Sequence, residues 1–348
     1  MAVCLRTLQC SQSVNAAAFS PDGQWLATGG NDRCITICRA SGPAAGDLLH
    51  TFYAGATVMC VAFCPSGDDD RVAAGLFDGA IKVWSASAGT CLLTLAGHDG
   101  LVYSVAFSPR DGGRTLASAS YDMTVRIWQT VDTTAGPAAG ACLHILRDHT
   151  LWVLSVAYSP DGSRLVTGSS DQTLTVWSAI NSTAGACLAA YDVGGICCSV
   201  AFLPCARVIA VVSLRDVRLL NASTGAVLNV LRGHTGAIRS LAVVPSGRLL
   251  AAGSTDSTIK LWCIKGLGAG TSPATLKEHG DNIQSVAVSP SGCMLATASK
   301  DCTAKLWDIT ALLPEARVLA LVLIGRRRRG ELPHVPQELW KLTLDDFY

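Results

Sequence analysis

The chain has 348 residues, a formal net charge of +1, 49% hydrophobic and 15% charged residues, and 33 glycines. Near-zero charge excludes an overall field that steers the molecule onto a nucleic-acid backbone or an acidic membrane, and the apolar fraction excludes disorder over most of the length. The opening "MAVCLRTLQCSQS" lacks the apolar core of a secretory signal, and no segment holds the roughly 18 apolar residues of a membrane span, so the sequence reads as a cytosolic or nuclear protein without a nucleic-acid or membrane partner.

In chain order, the first element is a short strand, "CLRTLQ", at residues 4–9. A phrase then recurs seven times. Its copies are "VNAAAFSPDGQWLATGGNDRCITIC" from Val14, "VMCVAFCPSGDDDRVAAGLFDGAIKVW" from Val58 and "VYSVAFSPRDGGRTLASASYDMTVRIW" from Val102. They continue with "VLSVAYSPDGSRLVTGSSDQTLTVW" from Val153, "CCSVAFLPCARVIAVVSLRDVRLLN" from Cys197, "IRSLAVVPSGRLLAAGSTDSTIKLW" from Ile238 and "IQSVAVSPSGCMLATASKDCTAKLW" from Ile283. Each copy alternates, breaks at a turn in which Pro supplies a fixed φ and Gly a permissive one, and alternates again. The residue before the turn falls at Phe19, Phe63, Phe107, Tyr158, Phe202, Val243 and Val288, spaced 41 to 51 residues apart. In five copies a Trp follows an Asp by six residues: Asp78/Trp84, Asp122/Trp128, Asp171/Trp177, Asp256/Trp262 and Asp301/Trp307.

A period in the forties made of short alternating strands marks a β-propeller blade. The expected fold is all-β, a seven-bladed β-propeller over residues 1–310, followed by a short α-helical appendage over 311–348. The copy from Cys197 is the weakest, with Leu214 and Leu220 in the places of the Asp and the Trp. It is counted because the gap it fills, about 85 residues, is one blade too long otherwise.

On these residues the chain resembles the WD-repeat family over residues 4–309. The resemblance implies a hydrogen-bonded tetrad of His, Ser or Thr, Asp and Trp in each blade. Complete sets match at His98, Ser118, Asp122 and Trp128, at His149, Thr167, Asp171 and Trp177, and at His279, Thr297, Asp301 and Trp307. His234, Asp256 and Trp262 have Ala252 where the hydroxyl belongs, and the first copy keeps Thr28 and Asp32 but has Cys38 for the Trp and no His. A buried Asp beside a buried imidazole is tolerable only when each has a partner. Three such sets at repeat-locked positions argue for a structural role and against a hydrolase triad. The resemblance also implies that residues 4–9 close the ring as the outer strand of the last blade, which leaves no open sheet edge there.

Fifteen cysteines without compact paired spacing do not suggest a disulfide framework. Cys34 with Cys38 and Cys60 with Cys64 have metal-like spacing, and Cys197 adjoins Cys198. Overlaid on the repeats, Cys38, Cys60 and Cys64 replace Trp or Ser, so they read as small buried substitutions, and neither a metal nor a cofactor is expected. The axis-facing strands carry no repeated ionisable group, and no phosphate loop or zinc motif occurs, which makes the chain a non-enzymatic binding platform. The family resemblance implies partner contacts at the residue before each tetrad Asp and at six and eight residues before each turn Pro. Those positions bring Phe77, Leu101, Tyr103, Tyr121, Trp152 and Leu154 into one sector, with Arg239 and Lys300 farther around. Aromatic and Arg side chains dominate interface energetics.

After Trp307 the periodicity turns helical. Residues 315–325 form an apolar helix candidate, Arg326–Arg329 a basic run at its end, and Pro336 starts a second helix with Leu339, Leu342 and Leu344 on one face. "VPQELWKLTL" resembles the opening of an F-box, and an apolar helix, basic run and LP-x-x-P segment together are similar to the SOCS box. The expected function is a scaffold that presents a propeller face to other proteins. The alternative is a substrate receptor of a cullin-type ubiquitin ligase, in which the ring binds the target and residues 315–348 recruit the adaptor through Leu339 and Leu342. In the scaffold reading the same helices dock on the ring.

Overall fold

Apolar runs of about six residues, alternating and cut by Pro, Gly and Asp, are too short to nucleate helices and pair locally as antiparallel meanders. A computed structural model describes residues 2–67, 69–132, 137–180, 184–265 and 269–313. These form seven four-stranded antiparallel sheets. Six are consecutive in the chain, spanning 14–53, 58–95, 102–146, 153–192, 200–231 and 238–276. The seventh joins Ile283–Val288, Met294–Ser299 and Thr303–Asp308 to the N-terminal strand Val3–Gln9, which pairs antiparallel with Thr303–Asp308. The ring is therefore closed by the first strand of the chain, which pairs the otherwise open edge of Thr303–Asp308 and becomes the outer strand of the last blade.

The core is divided among the blade interfaces. Seven apolar clusters are found among the described residues, each shared by two neighbouring sheets. One joins blades two and three through Ile81, Val83, Leu95, Val102, Phe107, Leu116 and Trp128. Another, with Val14, Leu26, Ala296, Ala298 and Leu306, joins blade seven to blade one. Each Trp at the end of a third strand thus packs toward the preceding blade, and Trp128, Trp262 and Trp307 are among the largest fully buried side chains.

The Ser of the recurring "SVAF" phrase has a second task. Its hydroxyl oxygen accepts a backbone N–H from the next blade: Val156 to Ser104 (3.3 Å), Val200 to Ser155 (3.1 Å), Leu241 to Ser199 (3.1 Å), Val286 to Ser240 (3.1 Å) and Ala17 to Ser285 (3.3 Å). The last of these crosses the closure. Small size at the axis explains only part of why Ser stands there.

The fifth blade forms all four strands without Asp or Trp at the repeat positions. Apolar burial replaces them: Ile209, Ala210, Val211, Val212 and Val217 are fully buried, and Leu220 packs with Val176 and Phe202. Its inner strand, Val200–Phe202, is shortened to three residues. A 3-10 turn, Thr310–Leu312, follows the last strand, and Leu312 is buried beside Trp307 and Ile309. The helix readings from 315 onward, Arg326–Arg329, Leu339 and Leu342 lie outside the described residues.

Candidate functional site

In every blade but the fifth, the second and third strands meet at a tight turn that the repeat Asp organises. The residue after the Asp has a left-handed backbone at Arg33, Met123, Gln172, Ser257 and Cys302, with φ between 63° and 70°. One carboxylate oxygen stabilises that turn by accepting the backbone N–H two residues on, as Asp122 does from Thr124 (2.9 Å) and Asp171 from Thr173 (2.9 Å). The other oxygen reaches the His. A Trp N–H can only donate and a carboxylate can only accept, so a neutral imidazole leaves one proton order along each chain. Trp128 Nε1–H donates to Ser118 Oγ (2.8 Å), whose O–H faces His98 Nε2 (2.7 Å), and His98 Nδ1–H reaches Asp122 (2.6 Å). The Thr167 set spans 2.9, 2.7 and 3.0 Å, and the Thr297 set 3.0, 2.8 and 2.7 Å. Ser118, Thr167 and Thr297 are completely buried, where no substrate reaches their oxygens.

Burial works against each of these carboxylates, but hydrogen bonds from the neighbouring hydroxyl, backbone and imidazole prevail. Asp122 and Asp256 are held well below the usual carboxylate range, and Asp171 and Asp301 are lowered to about 2. Burial lowers His234 and His279 despite the adjacent carboxylates. At the sixth blade, where Ala252 replaces the hydroxyl, His234 Nε2 meets only the Ala252 carbonyl at 3.3 Å, and Trp262 Nε1 has no hydrogen-bond partner.

In the third, fourth, sixth and seventh blades the His–Asp bond ties the entry loop to the second turn. The turn also bonds the entry loop through the backbone, as Phe77 N–H to Thr57, Tyr121 N–H to Leu101, Ser170 N–H to Trp152 and Lys300 N–H to Asn282. The loops and turns of one face are thereby fixed. On that face Phe77 is 60% exposed and Trp152 47% exposed, with Leu151, Ile196 and Leu214 also exposed. Tyr121 stacks on Trp152 with centroids 4.5 Å apart and planes 4° from parallel, and Tyr103 continues the stack at 5.8 Å. Lys300 is exposed and Leu101 half-buried.

The positions six residues before the turn Pro have a cause that the spacing did not reveal. In six blades the inner strand slips register by one residue, between Val14 and Ala16, Val58 and Cys60, Val102 and Ser104, Val153 and Ser155, Ile238 and Ser240, and Ile283 and Ser285. The residue left over is Asn15, Met59, Tyr103, Leu154, Arg239 or Gln284. A bulge re-aims its extra side chain, and all six line the mouth of the central channel. Leu154 is only 6% exposed, so it belongs to the channel wall and not to the outer surface. The structure thus places Phe77, Tyr121 and Trp152 on the face, Tyr103, Leu154 and Arg239 in the mouth, and Lys300 on the rim. Cys38 and Cys64 are buried free thiols that burial pushes up, to about 12 and about 11.

Sequence comparison agrees with this geometry. The chain is 41% identical over 96 residues to WD repeat and SOCS box-containing protein 1 of Homo sapiens, covering 28% of this chain and 21% of that protein. The protein of the same name from Danio rerio is 31% identical over 195 residues, covering 42% and 44%. Nuclear distribution protein nudF of Aspergillus terreus is 32% identical over 148 residues, covering 36% and 31%. The chain spans less than half the length of each of these relatives. The family described as WD domain, G-beta repeat matches residues 2–38, 46–85, 89–129, 140–178, 225–263 and 270–308, skipping the strands of the fifth blade that lack Asp and Trp. Each match begins near an outer strand and ends near the Trp position of the following blade, the same phase in which the N-terminal strand closes the ring, and on more than half its length the chain belongs to the WD domain, G-beta repeat family.

Proposed function

We propose that the chain is a non-enzymatic platform that holds a protein partner on the face carrying Phe77, Tyr121 and Trp152. The observation behind this reading is the Tyr121–Trp152 stack: a near-parallel aromatic pair, rigid because both loops are bonded at their bases, yet open to solvent. Rigid exposed aromatics supply large contact area at low entropic cost. Affinity purification of the full chain beside Phe77→Ala with Trp152→Ala tests it. A specific set of proteins should be lost from the double variant while its melting temperature stays within about 2 °C of wild type, because neither side chain is in the core. An unchanged set refutes the face as the partner surface.

A second reading makes the platform a ubiquitin-ligase substrate receptor. Two observations favour it: relatives are named for a SOCS box, and the sequence after 313 has an apolar run, a basic run and an LP-x-x-P segment in the order of that box. In this reading the ring selects the target while Leu339 and Leu342 anchor a cullin adaptor by helix-in-groove contact. Leu339→Asp with Leu342→Asp should then remove the adaptor from pull-downs and leave the ring's melting point unchanged. A lowered melting point with no adaptor in either sample identifies the tail as packing on the ring and ends the receptor reading.

A further inference from the structure

Of the six bulged side chains at the mouth, five are neutral and one, Arg239, is a cation. The mouth leads into a cavity of about 180 Å³ whose lining includes no acidic residue. Arg239 shares that lining with Tyr103 and Cys198, whose oxygen and sulfur its guanidinium serves as a hydrogen-bonding cation, but its Nε is buried without a hydrogen bond and it makes no ion pair among the described residues. Two other arginines have an unbonded buried Nε, but Arg126 lies over the Trp128 indole at 5.8 Å and Arg218 sits beside Gly194; neither lines the channel. Guanidinium is donor-only, so an unmet donor held in a cavity calls for an acceptor, best a charged one that matches the planar fork. Tyr103 belongs both to this wall and to the aromatic stack that runs out to Trp152.

We propose that the mouth of the ring binds an extended peptide segment of a protein partner, which inserts an Asp or Glu side chain against Arg239 and lays a flanking apolar residue on the Tyr121–Trp152 stack. The proposal rests on the reading of this face as the partner surface. One carboxylate brings one negative charge to one cation. A phosphoryl group brings about −1.5 to −2 and would leave charge uncompensated in a cavity with no second cation. The channel serines fit the same occupant. The oxygens of Ser104, Ser155, Ser199, Ser240 and Ser285 already accept inter-blade N–H groups, and the hydroxyl hydrogens remain to donate.

The test is selection by the immobilised full-length chain from short, end-blocked random peptides whose central residue is fixed as Glu, Gln, phosphoserine or Arg. The Glu set should be retained about tenfold or more above the Gln set, with aromatic or aliphatic residues enriched beside the Glu. Arg239→Gln should bring the Glu set down to the Gln level, and Trp152→Ala should erase the flanking enrichment while preserving the preference for Glu. Equal retention of Glu and Gln, stronger retention of phosphoserine, or a preference for Glu that survives Arg239→Gln overturns the proposal. If Arg239→Gln does not fold, the wild-type comparison of Glu with Gln decides alone. Apolar selection without a preference for Glu overturns the carboxylate site and leaves the face as a partner surface, whereas no selection from any set overturns both.

Discussion

At Ala252 a single missing oxygen separates a complete tetrad from a broken one. Trp262 keeps a buried N–H with no partner, and His234, donating Nδ1–H to Asp256 at 2.9 Å, turns its other nitrogen toward a carbonyl. Ala252→Thr places a hydroxyl where Thr167 and Thr297 carry theirs, able to accept from the Trp and donate to the His. It should stabilise the ring by about 1 kcal/mol, a rise in melting temperature of about 2 °C for a chain of this size. The reverse experiment is Asp122→Ala, which removes the acceptor of His98 and of the Thr124 N–H together. It should cost about 1–3 kcal/mol, read as an earlier denaturant midpoint. The offsets between His, hydroxyl, Asp and Trp made these residues legible in the sequence, because a tetrad requires fixed residue types at fixed strand positions. What the spacing left out was the second use of each Asp, in organising its own turn.

Among the strands, Val3–Gln9 has the greatest leverage for its length. It supplies the outer edge of the seventh blade, and Ala2 and Cys4 pack against one blade interface while Leu8 and Cys10 pack against the next. Removing residues 1–10 should expose the backbone edge of Thr303–Asp308 and loosen both interfaces. The expected result is a lower melting temperature together with concentration-dependent light scattering, since an unpaired edge strand recruits another. A truncated chain that melts like wild type and stays monodisperse contradicts that role. The strand was recognisable from its alternation and its phase relative to the first copy. The inner-strand bulges were not, because any residue type occupies the extra position: Asn15, Met59, Tyr103, Leu154, Arg239 and Gln284 share no chemistry.

Four His–Asp pairs recur around the ring, so a change in their hydrogen bonding is felt by the whole molecule. His234 and His279 are lowered from their ordinary value, so the unfolded chain takes up protons first as pH falls below about 6.5. The tetrad carboxylates are lowered too. Their contribution is fully present above about pH 4 and is lost as pH falls toward the folded values, about 2 for Asp171 and Asp301. Both sets have the same sign. The melting temperature should be flat above neutrality, decline gently below about pH 6.5 and drop steeply below about pH 4, and Asp122→Ala should flatten part of the steep limb. Because the core is divided among seven interfaces, no single blade sets the stability, and the fifth blade folds with apolar burial in place of a tetrad.

By itself the sequence determined the repeat, the number of blades, the tetrads and the phase of closure. Those follow from local rules, namely two-residue alternation, turn chemistry and side chains that must be paired within one blade. The tertiary structure alone decided what depends on blades meeting one another. It showed that Ser104, Ser155 and their counterparts bond across interfaces, that Leu154 is wall and not surface, and that Phe77 and Trp152 stand open to solvent. It also brought Tyr103 and Arg239, far apart in the chain, into the lining of one channel mouth. The physical reason is that a bulge has no sequence of its own, and the direction it gives a side chain acquires meaning only when the ring has closed around the axis.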